Sequence, residues 1–189
     1  MPGQLFIISG PSGSGKSSLC DALLAQCPNL KLSISCTTRA PRPGEENGVQ
    51  YHFMNKQMFE EQVQAGAFLE WANVHGNLYG TRKADVLEAL GKGNDILLEI
   101  DWQGAAQVAE KIAGACRVFI LPPSLETLRS RLTSRGQDDL ATVERRVAAA
   151  ESEMAHADEA HHRIINDDFD KALAELHELY MNKHDNNRS

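Results

Sequence analysis

Apolar positions along this chain fall into two rhythms: short unbroken runs, and longer stretches with apolar residues three and four apart. Leu5-Phe6-Ile7-Ile8 is an unbroken β-prone run, the pattern of a strand buried on both faces. A glycine-rich turn follows it. Then comes Ser17 to Leu24, in which Leu19, Ala22 and Leu23 share one helical face. A short strand is predicted near Leu32-Ser33-Ile34, and helices near 56–65 and 83–91. Ile96-Leu97-Leu98-Glu99-Ile100-Asp101 reads as an apolar strand ending in a carboxylate. Val118-Phe119-Ile120-Leu121 reads as another buried strand, closed by Pro122-Pro123. Leu140, Val143, Val147, Ala150 and Met154 make a 3-4-3-4 stripe, and Ile164-Ile165 is a short last strand. A final helix carries Phe169, Ala172, Leu173, Leu176 and Tyr180 on one face. Strands alternating with helices predict an α/β fold, a mostly parallel sheet covered on both sides.

Residues 35 to 82 break this rhythm. They hold six of the chain's eleven aromatic residues, and they read as a small β-rich insertion. No internal repeat or low-complexity linker is present. At 189 residues the chain suits one compact domain with such an insertion.

Composition narrows the function classes. Apolar content is 42%, ordinary for a soluble protein. The net charge of −7 argues against general nucleic-acid binding, so an anionic ligand would be held by local Arg and Lys. No apolar run approaches the ~20 residues of a membrane span, and no secretory leader is visible. Cys20, Cys27, Cys36 and Cys116 form no C-x-x-C pair, and the histidines lack zinc-finger spacing. Reduced structural thiols in a cytoplasm are the expectation.

The turn after the first strand carries the chemistry. Gly10-Pro11-Ser12-Gly13-Ser14-Gly15-Lys16-Ser17 satisfies G-x-x-x-x-G-K-[ST] between a strand and a helix, the context this motif requires. Its glycines let successive N–H groups cradle phosphate oxygens, and the helix that follows adds its dipole. Lys16 would reach the β- and γ-phosphates of a nucleotide, and the Ser17 hydroxyl would bind Mg²⁺. An acid at the end of a neighbouring strand, here Asp101, would face the same ion and its waters.

Two further clusters are weaker taken singly. Ser35-Cys36-Thr37-Thr38-Arg39-Ala40-Pro41-Arg42 sets two arginines three apart beside hydroxyls and prolines, which suits a phosphate clamp; a solvated loop is the competing reading. Tyr51 could add its hydroxyl. Around Glu70-Trp71, a buried carboxylate would accept from both N1–H and the exocyclic amine of guanine, whereas adenine has no donor at N1. An exposed Glu70 is the bland alternative.

Taken together, the P-loop, S-x-T-T-R-x-P-R at 35–42, Glu70-Trp71, Gly76 to Thr81, Asp101-Trp102-Gln103-Gly104 and Asn166-Asp167-Asp168 closely resemble the guanylate kinase family in order and spacing. The resemblance covers essentially the whole chain. It implies a P-loop NTPase-type parallel sheet flanked by helices, with a GMP-binding insertion at about 35–82 and a helical lid at about 126–159. The core would be about 1–34, 83–125 and 160–189. It implies Mg²⁺-dependent phosphoryl transfer from ATP to GMP in purine nucleotide metabolism.

The resemblance also implies residue roles. Ser35, Glu70 and Thr81 would read guanine, and Arg39, Arg42, Tyr51 and Tyr79 would clamp the GMP phosphate. Asp101 would lie near the guanine and the metal waters. Arg131, Arg135 and Arg146 would be lid and ATP-phosphate arginines. The P-loop through Ser18, with Asn166 and Asp167 near the adenine, would hold ATP. Three positions depart from the family pattern: Glu99 stands where Asp is common, Leu78 where a second Tyr is frequent, and His161-His162 where aromatic and acidic residues are usual. For the two histidines a surface or strand-edge place is expected. Other P-loop nucleotide or sugar-phosphate kinases, a non-catalytic guanylate-kinase-like module and a nucleic-acid motor are the alternatives. The guanine set, the retained Lys16 and lid arginines, and the short acidic chain argue against each in turn. Oligomeric state stays open.

Overall fold

The computed structural model describes residues 2–74, 76–134, 136 and 139–188. In chain order the elements are β1 (Leu5–Ser9), α1 (Lys16–Gln26), β2 (Leu30–Leu32), β3 (Cys36–Thr37), β4 (His52–Phe53), α2 (Lys56–Gln64), β5 (Phe68–Val74) and β6 (Asn77–Arg82). They continue with α3 (Lys83–Gly91), β7 (Asp95–Glu99), α4 (Trp102–Lys111), β8 (Cys116–Leu121), α5 (Leu125–Ser134), α6 (Leu140–Met154), β9 (His162–Ile165) and α7 (Phe169–Arg188).

The unbroken apolar runs become the centre of a five-stranded parallel sheet in the order β2-β7-β1-β8-β9. Side chains of β1 alternate between its two faces, as a strand period of two requires. Phe6 and Ile8 pack with Leu19 and Leu23 of α1 and Leu176 and Tyr180 of α7. Leu5 and Ile7 pack with Val86 of α3 and Val108 of α4 on the other face. Burial on both sides is why these strands read as continuous apolar runs. Buried Asp95, at the start of β7, accepts from Gln4 N (2.7 Å) and Tyr180 Oη (3.0 Å), tying α7 to the sheet.

Residues 36–82 build a second sheet, in the order β4-β3-β6-β5, around a small core of Cys36, Phe59 and Phe68. The Phe59 and Phe68 rings stack with centroids 4.5 Å apart. Helices α5 and α6 pack on each other through Leu128, Leu132, Val143, Val147 and Ala150. All four cysteines are free and buried. Among the described residues no helix is long and apolar enough to cross a membrane.

Several element ends differ from the sequence expectation. The second strand spans Leu30–Leu32 rather than 32–34, because Leu30 to Leu32 register with Asp95 to Leu97 of β7. Strand β7 stops at Glu99, and Asp101 is the N-cap of α4, its side chain accepting from Gly104 N at 2.8 Å. Leu140 and Phe169, both placed on apolar faces by periodicity, are 75% and 40% exposed. Each is the first residue of its helix.

Candidate active site

One cleft of about 870 Å³ opens between the carboxyl ends of the parallel strands, the second sheet and α6. Its floor is the P-loop. Gly13 and Gly15 hold φ of 89° and 88°, a region in which only glycine is unstrained. Gly15 is also the N-cap of α1 and provides no side-chain cap, whereas α2, α4 and α6 are capped by Asn55, Asp101 and Asp139. The first N–H groups of α1 are thus not taken up by a side-chain cap. A Cβ on Gly15 would fall 2.2 Å from Asn166 Nδ2. That buried amide donates to Ser14 O (2.8 Å) and braces the loop from behind.

The acid facing the P-loop is Glu99, not the expected Asp101. Ser17 Oγ donates to Glu99 Oε1 at 2.5 Å, and Lys16 Nζ lies 3.8 Å from the same oxygen. Asp101 lines the cleft nearby, but its oxygens accept from Gly104 N and Gln103 Nε2. The sequence reading marked Glu99 only as a departure. Its place in the β1–β7 register, opposite Ile8, is what brings it to the loop.

On the opposite wall stands Glu70, buried to 3% exposure. Thr81 Oγ1 donates to its Oε1 at 2.5 Å across the β5–β6 pair. Burial pushes the carboxyl up to about 7; Asp101 adds to the rise, and Thr81 and Lys111 oppose it. The exposed reading of Glu70 is therefore wrong. Ser35, Arg42, Tyr51 and Tyr79 line the cleft on the same side. The Tyr51 and Tyr79 rings meet edge to face at 5.8 Å. Arg39 sits behind them, 5.3 Å over the Tyr51 ring, with its guanidinium paired to both Glu45 oxygens at 3.0 and 2.8 Å.

From α6, Arg146 Nη2 donates to Ser12 Oγ at 2.5 Å, joining that helix to the P-loop. Arg131 instead donates to Asn166 O (2.9 Å), outside the cleft lining, and Asp167 is exposed beyond β9. Arg135 lies outside the described residues. Sequence reasoning missed Glu153, one face-repeat along α6 from Arg146 and also in the cleft. Burial raises its carboxyl, and Lys16 pulls it back. The i, i+7 spacing from Arg146 was the available signal.

A nucleotide-binding loop and a buried carboxylate thus face each other across one cleft. A family model for guanylate kinase matches residues 3–183. The chain belongs to the guanylate kinase family. It is 52% identical over 185 residues to guanylate kinase of Alkalilimnicola ehrlichii, covering 97% of this chain and 91% of that one. It is 55% identical over 175 residues to guanylate kinase of Ralstonia nicotianae, covering 93% and 79%. The crystal structure of guanylate kinase from Anaplasma phagocytophilum matches with a TM-score of 0.80 at 30% identity, over 97% of this chain and 87% of that one. Guanylate kinases are ATP:GMP phosphotransferases. The expected P-loop-type parallel sheet flanked by helices is the observed one.

Proposed function

We propose that this chain transfers the γ-phosphoryl group of ATP to GMP, giving ADP and GDP. The observation that carries this is Glu70, buried and held by Thr81 across the cleft from the P-loop. Its carboxylate would accept from guanine N1–H and the exocyclic amine, with Ser35 beside it. An adenine has no donor at N1 for the carboxylate oxygen that Thr81 leaves open, and a buried acceptor left unpaired costs ~1–3 kcal/mol. Arg42, Tyr51 and Tyr79 would hold the GMP phosphate, with Arg39 stiffening that wall and entering the clamp by exchanging Glu45 for phosphate.

On the ATP side the N–H groups of Gly13 to Ser18 would cradle the phosphates, Lys16 would neutralise the transferring group, and Asn166 would fix the loop. The acceptor is already an anionic phosphate oxygen, so no strong general base is needed. Catalysis is then positioning and charge neutralisation. Arg146, with Arg131 and Arg135, belongs to the helical segment 126–159, which we read as a lid over the transferring group. Residues 35–82 are the GMP-binding insertion.

Ser17 Oγ and Glu99 suit Mg²⁺, which takes few protein ligands and fills its sphere with waters and phosphates. Among the described residues no cluster of three acidic, His or Cys side chains offers a cage, which fits that preference. When bound, the ion would neutralise phosphate charge. On this reading Glu99 faces the ion directly, and Asp101, which lines the same cleft, would act through its waters. An enzyme using free nucleotides, with buried thiols, fits the cytoplasm.

The test is ADP release from ATP with GMP, AMP, CMP or UMP as acceptor. GMP should exceed AMP by roughly 10²-fold or more in kcat/KM. Comparable turnover with AMP would overturn the assignment.

A further inference from the structure

Strand β5 is an edge of the second sheet, and an open edge would leave its backbone groups unpaired. Helix α4 closes it with side chains. Trp71 N donates to Gln107 Oε1 (3.1 Å), and Gln107 Nε2 donates to Trp71 O (2.7 Å). The amide of Gln107 thereby pairs with both polar groups of one residue, as a neighbouring strand would. One turn on, Lys111 Nζ donates to Leu69 O at 2.6 Å. Residues 69 and 71 flank Glu70. The strand also slips register between Phe68 and Glu70, a bulge that frees Leu69 to plug the main core. The ladder skips Leu69 and resumes at Glu70, which pairs with Thr81, so β6 holds one side of Glu70 and α4 braces the backbone on both flanks of it from the other edge.

We infer that Gln107, together with Lys111, is a positioning residue for base recognition: it fixes the backbone on both sides of Glu70 and so aims the carboxylate at the guanine edge. The inference rests on reading Glu70 as the base reader. Gln107 touches no reacting atom. Its effect belongs to acceptor binding and base choice, since a small misplacement of a polar group in a closed site costs far more than the bond itself.

The experiment uses Gln107→Leu, Glu70→Gln and the double variant, with KM for GMP at saturating ATP, KM for ATP at saturating GMP, and turnover of IMP, which keeps N1–H and lacks the exocyclic amine. Gln107→Leu should raise the KM for GMP roughly 10- to 100-fold and leave the KM for ATP unchanged. It should also reduce the preference for GMP over IMP, which a general loss of stability would not do. In the Glu70→Gln background it should change GMP affinity less than about twofold, because the two act as one unit. Gln107→Glu keeps the acceptor for Trp71 N but turns a carboxylate oxygen toward Trp71 O; it should raise the KM for GMP at least as far as Gln107→Leu, and it decides the matter if the leucine variant does not fold. An unchanged GMP/IMP preference, an equal loss toward ATP, or additive effects in the double variant would overturn the inference. A Glu70→Gln protein with normal GMP kinetics would instead overturn the reading of Glu70. A damaged Glu70→Gln beside a normal Gln107→Leu would sink only the role of Gln107.

Discussion

Glu70 shows how much one buried side chain can set. Its carboxyl has an ordinary value of 4.5 and is pushed up to about 7, chiefly by burial. A group whose folded value is raised binds extra protons in the folded state between those two values. Its stabilising contribution is complete below about 4.5 and is lost as pH rises through about 7. The ligand-free protein should therefore lose on the order of 3 kcal/mol from this group over that window. Glu70→Gln should remove that part of the slope. Denaturant unfolding of both proteins at pH 5 and pH 8 measures it, and an identical pH dependence in the two would reject the raised value. If Glu70 reads the base as proposed, the same substitution sets an amide donor against the guanine donors and should cost ~10²-fold or more in kcat/KM for GMP. ATP affinity should hold, and a parallel loss for ATP would argue against a base-reading role. The acceptor chemistry of Glu70 was legible in the sequence; its burial was not. Burial comes from α4 lying across β5, a contact between residues more than thirty positions apart that no local pattern records.

At the level of elements, local rules placed the strands and helices well and their ends less well. The unbroken apolar runs found β1, β7 and β8 because both faces are covered. Strand β2 was misplaced because three residues carry too little pattern, and register against β7 decides it. Asp101 was read as a strand-end acid because Ile100 extends the apolar run; the chain instead turns there and Asp101 caps α4. That helix also shows competing effects of a single glycine. Alanine inside a helix stabilises by about 1 kcal/mol relative to glycine, and by less in the first turn, where Gly104 sits. At Gly104, however, a Cβ would lie 2.5 Å from Glu70 Oε2. The carboxylate is the end of a flexible chain and would be displaced while the helix persists. Gly104→Ala should therefore leave the melting temperature within a few degrees of wild type, yet raise the KM for GMP roughly tenfold or more. A stable variant with normal GMP kinetics would mean that the close approach of α4 does not position the reader.

The whole molecule joins three bodies of contact around one cleft: the parallel sheet with the P-loop, the second sheet with Glu70, and the α5–α6 pair with Arg146. Two strongly anionic substrates must meet in a protein whose net charge is −7, so the cationic groups must be local and must come from more than one part. Arg39 and Arg146 represent two such parts. Arg39 stacks over Tyr51 beside the second sheet and is held by Glu45. Arg146 reaches from α6 to Ser12 of the P-loop. If the acceptor wall holds ground-state phosphate, Arg39→Ala should raise the KM for GMP by roughly 10- to 100-fold, the worth of a charged hydrogen bond, with kcat less affected. If α6 acts on charge that develops during transfer, Arg146→Ala should lower kcat by ~10²-fold or more and leave the KM for GMP nearly intact. Arg135→Ala should follow Arg146→Ala, because both belong to the segment read as a lid. Were these arginines only surface charge, each change would be worth ~0–1 kcal/mol. Steady-state rates at saturating ATP and varied GMP separate the cases. The same kinetic pattern in Arg39→Ala and Arg146→Ala would mean that clamp and lid are not distinct, and that the cleft works as a single preformed cationic surface without closure.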